Sequence, residues 1–255
     1  DWGLIIYDEV HLLPAPIFRF TADIQSRRRL GLTATLVRED GLEGDVFSLI
    51  GPKRFDVPWK EIEAQGYIAP ADCVEVRVTL TEEERMRYAT AEQEDKYRIA
   101  ATTKTKESVA IALAQKHSSD QVLIIGQYLE QLDSLGEALK VPVIKGSTPN
   151  SEREKLFNLY RQGEINCLVV SKVANFSIDL PEASIAIQVS GTFGSRQEEA
   201  QRLGRILRPK ADGRSARFYS IVSRDTNDQD FAANRQRFLA EQGYAYQIID
   251  ADQII

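Results

Sequence analysis

The sequence contains few of the side chains that bind structural metal ions or form disulfides. Its 255 residues include two cysteines and two histidines, which lie well apart along the chain. Because a structural zinc site needs about four such ligands close together, we do not expect one here. Cys73 and Cys167 lie in separate apolar runs that resemble strands. This placement predicts buried, reduced thiols and therefore an intracellular protein.

The chain also lacks long apolar runs and an excess of basic residues. No run approaches the roughly 20 apolar residues that span a bilayer, and no signal-peptide pattern opens the sequence, so we expect no membrane association. The 32 Lys and Arg residues against 38 Asp and Glu give a net charge of −6. A nucleic-acid-binding protein usually has a basic bias, although a protein can also bind a strand through backbone amides and a local basic groove. The net charge therefore does not decide the question.

Short apolar runs alternate with helical patterns along most of the chain. The runs are typical of strands buried on both faces of a parallel sheet. We expect strands at residues 4–7, 29–35, 122–125, 141–145, 167–170, 185–189, 216–222 and 244–249. We expect helices at residues 15–26, 105–117, 129–139, 151–162, 195–208 and 226–242. This alternation predicts an α/β fold, in which helices cover both faces of a parallel sheet.

The region between residues 41 and 104 has a different pattern. Residues 41–70 show no regular pattern and are interrupted by Gly and Pro, which predicts that the chain leaves a first lobe here. Residues 74–80 alternate and predict a strand with one solvated face. Residues 81–84 resemble a capping box that opens a long polar helix ending near residue 100. Because that helix is charged nearly all round, we expect it to project from the body or to bridge two lobes.

Two adjacent carboxylates, Asp8 and Glu9, follow the first apolar run. In open α/β sheets, ligands bind at the carboxyl ends of the strands. One carboxylate there can hold Mg²⁺, directly or through water, while the second polarises an attacking water. An adjacent pair of this kind is commonly only a surface feature. Its position after a buried strand and before His11 favours a functional site.

The helix predicted at residues 195–208 holds a pair of arginines in a fixed relation. Gln201, Gly204, Arg205 and Arg208 are spaced so that they share one helix face. A guanidinium is always charged and matches phosphate oxygens two at a time. The alternative is an amphipathic surface helix with solvated arginines. Gly204 argues against that alternative, because a mid-helix glycine costs about 1 kcal/mol and indicates a close approach to the backbone.

Two further loops follow predicted strands. Ser171 and Lys172 begin one of them, Asp179 lies farther along it, and Gln127 lies in the other. At these positions, backbone amides and Ser171 can contact a nucleic-acid phosphate, and Asp179 can face a nucleotide. On their own, the same residues fit an ordinary loop in which the aspartate caps a turn.

Taken in order, four segments resemble the XPB-type DNA helicases of superfamily 2. They are D-E-V-H at 8–11, L-T-A-T-L-V-R-E-D at 32–40, S-K-V-A-N-F-S-I-D-L-P-E-A at 171–183 and Q-R-L-G-R-I-L-R-P at 201–209. The likeness covers nearly the whole chain, and R-E-D shortly after T-A-T points to XPB rather than to helicases generally. It implies RecA-like lobes: the end of a first lobe at 1–70, a thumb-like helical insertion and linker at 71–104, and a second lobe at 105–255.

The resemblance also implies a role for each candidate residue. Catalysis would fall to Asp8, Glu9, His11, Arg205 and Arg208, with Mg²⁺ held at Asp8 and Glu9 and the arginines at the γ-phosphate. ATP would be contacted by Asp179, Gln201 and Gly204. DNA would be contacted by Gln127, Ser171, Lys172 and the charged triplet Arg38, Glu39 and Asp40, which the family uses in opening DNA. Thr33, Ala34 and Thr35 would couple the nucleotide state to movement of the second lobe.

The activity implied is ATP-dependent 3′–5′ unwinding of DNA in repair, transcription or both, with ATP and Mg²⁺ as cofactors. No G-x-x-x-x-G-K-[ST] phosphate loop is present, so we expect the chain to be a carboxyl-terminal part of a longer enzyme and inactive alone. DNA and a nuclease or a repair or transcription complex are the expected partners. The expected location is the nucleoid in a prokaryote or the nucleus in a eukaryote. Two alternatives stay open: a motor subunit that translocates without unwinding, and a non-catalytic docking module for a repair nuclease.

Overall fold

The computed structural model describes residues 2–33, 43–66, 71–171, 183–191, 216–241, 243–244 and 246–255. Near the beginning of the chain, two short strands form a parallel pair, which we call the small sheet: β1 (Ile5–Tyr7) and β2 (Arg29–Gly31). Helix α1 (Pro16–Arg19) and two 3-10 turns (Val10–Leu12 and Phe20–Asp23) lie between them, and helix α2 (Glu43–Ile50) follows. The predicted helix at 15–26 is therefore shorter and partly 3-10.

The large sheet has seven parallel strands within the described residues, in the order β5-β6-β4-β7-β8-β3-β9. These strands are β3 (Ala71–Val78), β4 (Val122–Gly126), β5 (Val143–Ile144), β6 (Cys167–Ser171), β7 (Ile185–Gln188), β8 (Ala216–Ser223) and β9 (Tyr246–Asp250). The accompanying helices are α3 (Trp59–Ala64), α4 (Glu82–Thr90), α5 (Gln93–Ala101), α6 (Lys104–Lys116), α7 (Leu129–Leu139), α8 (Asn150–Arg161) and α9 (Asn227–Glu241). The predicted α/β fold with a parallel sheet is confirmed.

Alternate residues of each central strand enter two different cores, because successive side chains in a strand point to opposite faces. In β4, Leu123 and Ile125 pack with Phe157 of α8. Val122 and Ile124 pack instead with residues of α6 and α7, among them Leu113 and Leu132. Helices therefore cover the two faces of the large sheet, as the continuous apolar runs predict.

Strand β3 differs from the prediction of a half-solvated strand. It pairs with both β8 and β9, and Glu75, on the face predicted to be solvated, is only 1% exposed. The large sheet thus includes a strand from the segment predicted to be an insertion and linker. The cause is a pairing between parts of the chain far apart in sequence, which local alternation cannot reveal.

The predicted long polar helix is two helices, α4 and α5, interrupted at Ala91 and Glu92. The predicted capping box is confirmed: Thr81 caps α4 reciprocally with Glu84. Helix α4 buries no residue, as expected of a projecting element. Helix α5, by contrast, buries Tyr97 and two alanines, so this part of the segment does not project. The alternative that the segment bridges two lobes stays a prediction.

The small sheet also departs from its predicted burial. Leu4 is 49% exposed and Ile6 56% exposed, although the run was expected to be buried on both faces. Among the described residues β1 pairs only with β2, so an apolar sequence here has few neighbours.

Two expectations from composition can be compared with the structure. Both cysteines are free thiols, with Cys73 buried and Cys167 only partly so, and burial raises the pKa of Cys167 to about 12. None of the helices in the described part of the chain is long and apolar enough to cross a membrane.

Candidate functional site

The carboxyl edge of the small sheet brings four predicted site residues together. Asp8 and Glu9 follow β1 directly, and Thr33 lies just past β2. Parallel pairing of the two strands places these ends side by side. Two backbone hydrogen bonds join the segments that follow the strands. The Leu32 N–H donates to the Tyr7 carbonyl at 2.8 Å, and the Val10 N–H donates to the Leu32 carbonyl at 3.0 Å.

Glu9 has a left-handed backbone, with φ of 49° and ψ of 47°. This conformation is uncommon for a residue other than glycine and is found preferentially at functional sites. The Asp8 carboxylate accepts a hydrogen bond from the Glu9 N–H at 2.9 Å. The turn therefore holds the two carboxylates in a fixed relation at the strand end.

His11 links the carboxylates to the neighbouring strand. Its side chain is buried, and its Nδ1 lies 2.8 Å from Thr33 Oγ1 and 3.5 Å from Glu9 Oε2. One imidazole nitrogen thus contacts a residue beyond β1 and a residue beyond β2. His11 therefore lies between the Glu9 carboxylate and Thr33.

Gly31 is a contributor that sequence reasoning missed. A Cβ atom at this position would lie 2.8 Å from Cγ2 of Val10, closer than real contacts allow. The glycine lets the turn that holds Glu9 and His11 pack directly on β2. The available signal was a glycine inside an apolar strand, which often marks a close backbone approach.

The carboxyl edge of the large sheet holds a second group. Gly126 and Ser171 are register partners at the ends of β4 and β6, and the Gln127 N–H donates to Ser190 Oγ at 2.7 Å beyond β7. Gln127 Oε1 and Ser171 Oγ are buried and have no hydrogen-bond partner among the residues that the structure describes. Buried polar atoms are normally satisfied, so each of these two atoms requires a partner beyond the described residues.

The other predicted site residues lie outside the described residues. They are Ala34, Thr35, Arg38, Glu39, Asp40, Lys172, Asp179, Gln201, Gly204, Arg205 and Arg208. Their roles stay predictions.

The carboxylates at the small sheet suit a metal ion such as Mg²⁺, which takes only one or two ligands from the protein, better than an ion that is held by protein ligands alone. No cluster of three or more His, Cys, Asp or Glu side chains able to hold a metal ion occurs in the described ranges. Mg²⁺ usually keeps several waters and binds one or two carboxylates together with substrate phosphates. Asp8, which is exposed at the strand end, meets that requirement.

Residues 62–255 match the family described as ERCC3/RAD25/XPB C-terminal helicase. The chain belongs to this family. The chain is 72% identical over 254 residues to a "DNA 3'-5' helicase XPB" of Kineococcus radiotolerans, and 71% identical over 255 residues to that of Mycobacterium tuberculosis. Both alignments cover 100% of this chain and 46% of the relative, so the chain spans about half the length of the relatives it matches.

A more distant relative is the "General transcription and DNA repair factor IIH helicase/translocase subunit XPB/SSL2" of Saccharomyces cerevisiae. It is 41% identical to the chain over 256 residues, which cover 98% of this chain and 30% of the relative.

Solved structures with a similar fold come from RecA-like helicase domains. S. cerevisiae Dbp5 bound to RNA and ADP BeF3 aligns with a TM-score of 0.66 at 15% identity, covering 98% of this chain and 60% of Dbp5. The Hef helicase domain of Pyrococcus furiosus aligns with a TM-score of 0.54 at 14% identity, covering 90% of this chain and 73% of that domain. At these identities the likeness shows the fold alone, and the predicted RecA-like architecture is confirmed.

Proposed function

We propose that this chain is the carboxyl-terminal half of an ATP-dependent 3′–5′ DNA helicase or translocase. The relatives that are 71% and 72% identical are named DNA 3'-5' helicase XPB, which supports the proposal. The observation on which it rests is the buried His11, whose Nδ1 lies 2.8 Å from Thr33 Oγ1 and 3.5 Å from Glu9 Oε2. This contact supports the proposal, because a motor must link the carboxylates that act in hydrolysis to the neighbouring strand.

The carboxylates have separate roles in this proposal. Asp8 would hold Mg²⁺ through water, and the metal, when bound, neutralises charge on the phosphates. Glu9 would orient and polarise the attacking water, and its left-handed backbone turns the chain directly after Asp8. His11 would report the state of this site to Thr33.

Arg205 and Arg208 would stabilise charge on the γ-phosphate. Their spacing on one helix face is a sequence prediction, and a guanidinium suits this role because it is planar and permanently charged. Gln201, Gly204 and Asp179 would contact the nucleotide on the same side.

DNA would run along the carboxyl edge of the large sheet. Ser171 Oγ has no hydrogen-bond partner among the described residues, and its hydroxyl can donate to a phosphate oxygen, which supports this position. Gln127 Oε1 only accepts, so it would need a donor such as a base amino group. Lys172 and the Arg38-Glu39-Asp40 triplet would add further contacts. Because phosphate contacts dominate such binding, it should weaken as salt is raised.

The proposal is tested by Arg208→Ala in a protein of the relatives' full length that contains this chain. We expect the rate of ATP hydrolysis to fall by about 10³–10⁵, as for other arginine fingers. Arg161→Ala is a matched control, since Arg161 is exposed and bonds to Asn158 of its own helix, and it should retain the parental rate. ATP hydrolysis by Arg208→Ala near the parental rate would remove the arginine from the mechanism.

The chain by itself should show little or no ATP hydrolysis, because its sequence contains no phosphate loop.

The yeast relative's name includes both helicase and translocase. Strand separation, measured on a duplex at matched ATPase rates, distinguishes unwinding from translocation alone. A transcription and repair complex is the partner that the yeast name supports; a nuclease partner and the location in nucleoid or nucleus stay predictions.

A further inference from the structure

The described residues pack into separate cores on the two sides of helix α3. Around the small sheet, one buried cluster consists of Val10, Leu13, Ala22 and Val46. The two clusters that cover the faces of the large sheet share no residue with it in the described part of the chain. We call these parts the small-sheet unit and the large-sheet unit. Helix α3 lies between them in sequence, so its contacts decide to which unit it belongs.

The segment that joins α2 to α3, residues 51–58, is only weakly held. Most of it is exposed, and Phe55 is 83% exposed. Residues 52–57 form no hydrogen bond with any other described residue, and their ion pair, Lys53 Nζ to Asp56 Oδ2 at 3.0 Å, joins two exposed side chains. Gly51 has a φ of 129°, which glycine adopts at little cost. A segment with so few contacts changes its conformation at a low free-energy cost.

Helix α3 cannot be stable through its own hydrogen bonds. It has six residues, and isolated helices shorter than about 12–15 residues are marginal in water. Its partly buried residues include Lys60 and Glu63, which are three apart and therefore share one face, whereas Glu61 and Ala64 are exposed. The helix must therefore depend on whatever this face contacts.

That face contacts the large-sheet unit at Tyr244, which follows α9 and packs in the core with Leu239. Lys60 Nζ lies 4.6 Å from the centre of the Tyr244 ring and donates to Glu63 Oε1 at 2.9 Å. Burial raises the pKa of Tyr244, and the nearby Glu63 carboxylate raises it further. A Cβ at Gly243 would lie 3.0 Å from Lys60 Cγ, so the lysine stem also rests on the backbone there.

We propose that residues 51–58 are a hinge between the two units, and that α3 moves with the large-sheet unit because Lys60 and Glu63 attach it to Tyr244. In a hinge, a few loop residues take up the change in backbone angles. The inference goes beyond the proposed function and does not depend on ATP hydrolysis. It places the junction between the lobes ahead of α3, whereas the sequence predicts that the first lobe extends to residue 70.

The attachment of α3 is tested by Lys60→Ala in this chain, with hydrogen exchange of the α3 amides followed by mass spectrometry. Exchange should become about two- to fivefold faster, the factor expected when one partly exposed cation–π contact is lost. Alanine forms helices at least as well as lysine, so a lower helix propensity cannot cause this change.

Lys53→Ala is the matched control, because Lys53 is also partly exposed and also pairs with an acidic residue three positions later. It should leave exchange in α3 unchanged. Val46→Ala, which opens the core of the small-sheet unit, should raise exchange in α2 and not in α3. Equal exchange of α3 in Lys60→Ala and Lys53→Ala would overturn the attachment, and so would faster exchange of α3 in Val46→Ala.

The hinge itself is tested with spin labels on exposed positions of a variant in which alanine replaces both cysteines. One pair, at Ser48 and Ala64, spans the hinge, and the other, at Ala64 and Asn234 of α9, lies within the large-sheet unit. The distance distribution of the first pair should be about twice as wide as that of the second, because only the first includes movement between the units. Equal widths would overturn the hinge. Both experiments are done without nucleotide, so their outcome is independent of whether Arg208 acts in ATP hydrolysis.

Discussion

The two sheets bury their residues in opposite ways. In the unit around the large sheet, the charged residue Lys106 is fully buried, whereas Ile6 in the small sheet is 56% exposed. The apolar runs are nearly alike, since L-I-I-Y precedes Asp8 and V-L-I-I forms most of β4. Strand β4 lies between β6 and β7 and under helices on both faces, while β1 pairs only with β2 in the part of the chain described. Neighbours, not residue type, determine burial.

The largest effect that this comparison predicts is at Lys106. Lys106→Met should lower the free energy of unfolding by about 3–5 kcal/mol, because it leaves the buried Asp228 carboxylate without its cation. Burial lowers the pKa of Lys106, and the Asp228 carboxylate opposes that shift. Unfolding of the chain in urea, followed by circular dichroism, measures the change.

The control for Lys106→Met is the double variant Lys106→Met with Asp228→Asn. The asparagine keeps an acceptor for the Ser223 N–H, which bonds to Asp228 at 2.9 Å, but it removes the unpaired charge. The double variant should therefore recover part of the stability that Lys106→Met loses. If it is less stable than Lys106→Met, the cost does not come from the uncompensated carboxylate.

The sequence predicts elements better than it predicts their neighbours. Continuous apolar runs located the strands of the large sheet, and a reciprocal Thr81–Glu84 pattern located the start of α4. In the small sheet, the D-E-V-H segment identified a strand end where Asp8 and Glu9 lie beside His11, which contacts Thr33. These features depend on residues close in sequence.

What could not be predicted depends on contacts between distant parts of the chain. Strand β3 lies between β8 and β9, and nothing near residue 71 specifies those partners. Tyr97 lies among charged residues, so its helix was predicted to project from the body or to bridge two lobes, yet its hydroxyl donates to the carbonyl of a residue 94 positions later. A buried residue inside a polar helix has no local pattern that would reveal its partner.

A matched pair of isoleucines tests the comparison directly. Ile124→Ala in β4 should cost about 2–5 kcal/mol, because the residue is fully buried and its removal leaves a cavity. Ile6→Ala in β1 should change the stability of the same chain by less than about 0.5 kcal/mol, as is usual for exposed positions. Urea unfolding of both variants gives the two values. Equal costs would contradict the burial difference between the sheets.

The smallest predicted effect is at Glu84, where α4 begins. Its carboxylate accepts hydrogen bonds from Thr103 Oγ1 at 2.6 Å, Thr81 N at 3.0 Å and Lys104 N at 3.2 Å. Partial burial raises the pKa of Glu84, but these hydrogen bonds outweigh it, so the net pKa lies below the ordinary glutamate value. A lowered carboxyl pKa contributes stability that is complete above the unfolded value and is lost as the pH falls through the folded value.

Glu84→Gln should therefore cost stability at neutral pH, though less than about 1 kcal/mol because the side chain is partly exposed. The difference between the parental chain and Glu84→Gln should shrink as the pH falls below the ordinary glutamate range. Urea unfolding at a series of pH values measures this, with Glu83→Gln as the control, since Glu83 is exposed in the same first turn. A cost that is independent of pH would mean that Glu84 acts through its shape and not through its charge. The start of α4 would then resemble the large sheet, where packing determines stability, and not an exposed region where charge does.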